Sequence, residues 1–111
     1  MAYDEDLANR IRELLADQHE VTEKRMFGGL AFLVGGNMSV AASGRGGLMV
    51  RVDPNDSEAL VSKPHCERMV MRGREMDGWL RVAAGGVRTK RQLEPWVKRG
   101  VGYARSLSAQ G

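Results

Sequence analysis

Glycine punctuates residues 21 to 52 so often that no helix can run through them. Gly28-Gly29, Gly35-Gly36 and the Gly-rich segment Ser43 to Gly47 separate short apolar runs. Glycine weakens a helix interior, whereas a tight hairpin needs the positive φ that glycine adopts freely. Gly35-Gly36-Asn37 has that composition. Val21 to Phe27 then reads as a first strand, Leu30 to Val34 and Met38 to Ala42 as a hairpin, and Leu48 to Val52 as the close of the meander. In the last run Leu48, Val50 and Val52 share one face, and Met49 and Arg51 take the other. Hairpins of this length in succession make an antiparallel sheet.

Helical patterns flank the meander. Leu7, Ile11, Leu14 and Leu15 form one apolar stripe, with Asp4 as cap, acidic residues in the first turn and an expected end near Asp17. Asp53-Pro54 starts a short helix, because Asp caps well and Pro at the first helical position loses no bond; Pro64 stops it. Two further strands are read at Arg68 to Arg72 and Trp79 to Val82, with Gly73, Gly78 and Gly85-Gly86 as breaks. The last helix shows Leu93, Trp96, Val97, Gly100, Val101, Ala104 and Leu107 on one face. Thr89 and Gln92 match a capping box, while Pro95 implies either a kink or a start at Glu94 or Pro95. The order is α-β-β-β-α-β-β-α, an α+β, two-layer architecture with helices packed on one face of the antiparallel sheet.

A chain of 111 residues holds one domain, and 42% hydrophobic with 28% charged residues is a globular composition. The lack of a long apolar run argues against a membrane partner. Cys66 is the single cysteine, so no internal disulfide forms and a cytoplasmic location is expected. Charge is uneven. Residues 1–62 hold six bases and ten acids, and residues 63–111 hold eleven bases and four acids. That asymmetry suits an anionic partner, head-to-tail association or a solvated surface.

The segment Glu23-Lys24-Arg25-Met26-Phe27-Gly28-Gly29, followed by an apolar strand, a Gly/Asn turn and Leu48-Met49-Val50-Arg51-Val52, resembles the N-terminal domain of the TfoX/Sxy competence regulators. Pro64-His65 to Met69, Gly73-Arg74-Glu75-Met76 and Trp96-Val97-Lys98-Arg99-Gly100 fit the same pattern, from about Asp4 to Leu107. The resemblance implies a bacterial, secretion-chaperone-like α+β domain without a defined activity of its own. Residues 1–111 are expected to be one such domain, with no C-terminal TfoX domain.

Catalytic and metal-binding patterns are missing from the sequence. His65 and Cys66 are neighbours, too few for zinc and poorly disposed as a catalytic pair. No Gly-x-x-x-x-Gly-Lys or Gly-x-Ser-x-Gly segment occurs. The expectation is a non-enzymatic binding or regulatory domain without cofactor, acting through protein contacts. Its dimer face is expected at Ala31, Leu33, Ala41, Met49 and Trp79, which turn away from the helices if Leu30, Phe32, Val50 and Val52 turn towards them; an apolar outer face of this kind marks association, here as a homodimer. An alternative is weak, sequence-nonspecific nucleic-acid binding by the basic C-terminal half. Arg91, Lys98 and Arg105 fall on one helical stripe, and Lys24 and Arg25 beside Gly28-Gly29 are candidates for an anion contact.

Overall fold

A computed structural model describes residues 3–26 and 28–110, with side chains to residue 107. Phe27, read from sequence as the end of the first strand, lies outside the described residues. Helix α1 spans Glu5–Leu14, and Asp4 Oδ1 accepts the Asp6 and Leu7 N–H groups at 2.9 and 3.2 Å. Four strands follow, one for each strand segment read from the sequence: β1 Val21–Met26, β2 Gly29–Val34, β3 Asn37–Ala42 and β4 Leu48–Arg51. A 3₁₀ turn at Pro54–Asp56 runs into α2, Ser57–Leu60, with Asp53 Oδ1 accepting the Asn55 N–H. Strands β5 Cys66–Met71 and β6 Arg74–Val82 form a hairpin, and α3 spans Lys90–Gln110.

All neighbouring strands are antiparallel, in the order β1-β2-β3-β4-β6-β5, so β1 and β5 are the free edges. Two hairpins turn through paired positive-φ residues, Gly35-Gly36 and Arg72-Gly73, as two-residue turns of the primed type require. Helices α1 and α3 cover one face. Leu7, Ile11, Leu93 and Trp96 pack there against Leu30, Phe32, Val40, Val50 and Leu80. A bidentate bond from Arg12 to Glu23, both contacts 2.7 Å, ties α1 to β1 on that side.

Two expectations change. Gly78 does not end a strand. It lies inside β6 with φ 83°, donating its N–H to Ser57 Oγ at 2.7 Å and accepting the Val52 N–H at 2.9 Å. Gly73 supplies the turn instead, and the positive φ at Gly78 serves an irregularity in the strand. Pro95 neither delays α3 nor ends it. Gln92 Oε1 accepts the Arg88 and Thr89 N–H groups, and Thr89 Oγ1 accepts the Gln92 N–H. This capping box and the buried Leu93 and Trp96 hold the first turn in place ahead of the proline.

The opposite face of the sheet carries a second apolar cluster: Ala31, Met38, Ala41, Met49 and Met69, with Met26, Leu33 and Trp79 packed against it. It is not the open patch expected from sequence. Ala31, Ala41 and Met49 are buried, and only Leu33 and Trp79 of the five expected face residues are half-exposed. Flexible methionine side chains fill the space over the small alanines, and the Arg51 guanidinium lies 5.0 Å from the Trp79 ring centroid.

Candidate functional site

One row of paired residues crosses the outer face from β2 to β5: Ala31, Ala41, Met49, Arg81 and Glu67. It passes from small and apolar at the centre to charged at the β5 edge. There a groove of about 460 Å³ opens between Met49 and Met69 on its floor and arginines on its rim. Arg68 is bonded to Asp77 at 2.9 Å, and Arg81 donates to the Gly46 carbonyl at 3.2 Å. Arg45 and Arg72 line the same groove without an acid partner among the described residues. Val70, 61% exposed, and Met71, 37% exposed, stand on this edge strand as the large hydrophobic side chains left open to solvent among the described residues.

The five basic residues singled out from sequence do not converge. Lys24 and Arg25 alternate on β1: Lys24 pairs with Ala31 of the outer face, and Arg25 pairs with Leu30 of the helix side. Arg91 and Lys98 are exposed on α3, which packs on β3 and β4. Arg105 is occupied, donating to Gln18 Oε1 at 3.0 Å and to the His19 carbonyl at 2.9 Å. It joins α3 to the α1–β1 loop through one nitrogen of its guanidinium.

Among the described residues no group of three His, Cys, Asp or Glu side chains could hold a metal ion. Burial pushes the Cys66 thiol above its ordinary range, against the opposing pull of Arg99 and Lys63, so the nucleophilic thiolate is disfavoured. Its neighbour His65 has φ 67° and rests against Gly85-Gly86. No helix of the described residues is long and apolar enough to cross a membrane.

Sequence reasoning missed the groove at β5. Its signal is the uninterrupted apolar run Met69-Val70-Met71, which breaks the alternation of a half-buried strand and sits at a sheet edge. The arginines come from four separate segments and form no linear motif.

Fold and surfaces define an α+β domain with one helix layer, a methionine-lined outer sheet face and a basic rim. The chain belongs to the TfoX N-terminal domain family, whose model matches residues 13–104, and is a competence-regulator-like domain. No curated protein matches it.

Proposed function

We propose that this is a non-enzymatic regulatory domain that acts through protein contacts, and that its docking surface is the β5 edge of the outer face. The observation that carries this reading is the coincidence of exposed Val70 and Met71 with an unpaired strand edge and a basic groove. An edge strand offers a row of backbone donors and acceptors to an added strand. Alternate side chains of that strand then fall into pockets beside it. With Arg68 already paired to Asp77, Arg45, Arg72 and Arg81 outweigh Glu67 and select acidic residues, and Met49, Met69 and Met71 accept apolar ones. The occupant is therefore an extended segment of a partner protein in which acidic and apolar residues alternate. A two-fold pairing of this groove with a second copy would set arginine against arginine, which disfavours a homodimer at this edge.

Selection from a library of random eight-residue peptides tests this. Enriched peptides should alternate Asp or Glu with apolar residues and lose binding to Val70→Lys and Arg72→Glu variants. Binding that survives both variants contradicts the proposal. So does a homodimer in light scattering that dissociates on Val70→Lys, since a second copy would then be the occupant.

A further inference from the structure

On the helix side, away from the β5 groove, the α2–β5 loop meets the start of α3 beside an open groove of about 350 Å³. Lys63 and His65 line it from the loop, and Arg91 and Arg99 line it from the helix. No acid lines it, and none of the four has an ion-pair partner among the described residues. Gathered cations without a counter-charge repel one another, and an anion relieves that repulsion.

Two of the four are held in place by the fold. The Arg99 guanidinium lies 5.0 Å from the Trp96 ring centroid, which fixes its fork at the groove wall. His65 adopts left-handed backbone, uncommon for a residue with a side chain and concentrated at functional positions. Its side chain packs closely against Gly85 and Gly86. A Cβ on Gly85 would lie 3.1 Å from His65 Cε1, and one on Gly86 would lie 2.8 Å from His65 Cβ. The helix N-terminus contributes little, because the N–H groups of Arg88, Thr89 and Gln92 are already taken by the capping box.

We infer that this groove binds the phosphate group of a small molecule. Three permanent cations and an imidazole match a dianion with several acceptor oxygens better than a carboxylate with one charge and two. The volume lies at the low end of the roughly 300–1,000 Å³ typical of small-ligand sites, enough for a phosphate and a compact body. The same chemistry is offered by the phosphodiesters of a nucleic acid, and the test separates the two.

Amide chemical shifts of the whole domain are followed during titration with inorganic phosphate, with glycerol phosphate and with a random DNA duplex, at constant chloride. Saturable shifts confined to residues 63–66, 85–92 and 95–99 are expected with both small anions. Arg91→Gln, a change at an exposed position, should weaken them about tenfold or more. Arg99→Lys keeps the charge but loses the fork and should weaken them less, and Arg72→Gln in the other groove should leave them unchanged. Absence of saturable shifts at tens of millimolar phosphate, or indifference to Arg91→Gln, overturns the site. Duplex binding weakened equally by Arg91→Gln and Lys98→Gln also overturns it, in favour of a track along α3.

Discussion

The Ser39 carbonyl oxygen lies only 2.5 Å from where a Cβ on Gly100 would stand, so α3 meets β3 backbone to backbone. The meeting point is a bulge. Phe32 pairs with Val40 and Leu33 with Met38, leaving Ser39 unopposed, and its Oγ donates to the Phe32 carbonyl at 2.8 Å. One irregular residue thus sets both the depth of the helix and the course of the strand.

Gly100→Ala should therefore destabilise the domain despite the better helix propensity of alanine. The propensity gain is about 1 kcal/mol, against about 1–3 kcal/mol for overpacking against backbone that cannot move aside. Gly102→Ala is the control, since a Cβ there meets nothing within 4 Å. Thermal or urea unfolding should show opposite signs for the two, with Gly102→Ala stabilising by roughly 0.5–1 kcal/mol.

Ser39→Ala removes the donor to a buried carbonyl and should cost about 1–3 kcal/mol in the same assay. Ser39→Thr restores the hydroxyl but adds a methyl group at a fully buried position. It should recover only part of the loss.

Arg105→Ala should lower stability without changing affinity for DNA. The side chain bonds Gln18 and His19, and two such contacts at a partly exposed site contribute about 1–2 kcal/mol. Anisotropy with a labelled duplex at about 50 mM and about 200 mM salt should show no steep loss of binding attributable to this residue.

The Arg12 guanidinium, bonded to Glu23, holds that carboxyl below the usual range. A carboxyl whose folded value is depressed contributes stability above its unfolded pKa, and the contribution disappears as pH falls through the folded value. Both side chains are well exposed, so the effect is small. Glu23→Gln should flatten the acid limb of the stability–pH curve and leave neutral-pH stability only slightly changed.

Cys66 should react slowly with iodoacetamide at neutral pH, since burial raises its pKa. The rate should climb with pH beyond the range of an exposed thiol, and unfolding in urea should abolish the difference. Fast alkylation at pH 7 would contradict a thiol whose thiolate is disfavoured by burial.

The hairpins were legible because Gly35-Gly36 and Gly73 fall where positive φ is needed; the positive φ of Arg72 was not. The helices were legible from apolar spacing and caps. Gly78 misled, because a glycine inside a strand and a glycine ending one look alike in sequence; the hydroxyl of Ser57, twenty-one residues away, decides between them. The Ser39 bulge was invisible for the same reason, since its neighbour Gly100 lies on another element. Alternation correctly separated Phe32 from Ala31 and Leu33, but it could not reveal that methionines on neighbouring strands cover the alanines. Both grooves join residues far apart in the chain, and arginine spacing along α3 says nothing about which guanidiniums are already bonded.

Hydrogen exchange of the β5 amides, with and without a peptide selected for binding, tests the docking edge most directly. Strand addition requires that the Cys66–Met71 amides directed away from β6 become protected on binding, while those on β1 do not change. Protection on β1, or a bound peptide that leaves the β5 amides exchanging as in the free protein, would contradict docking at this edge.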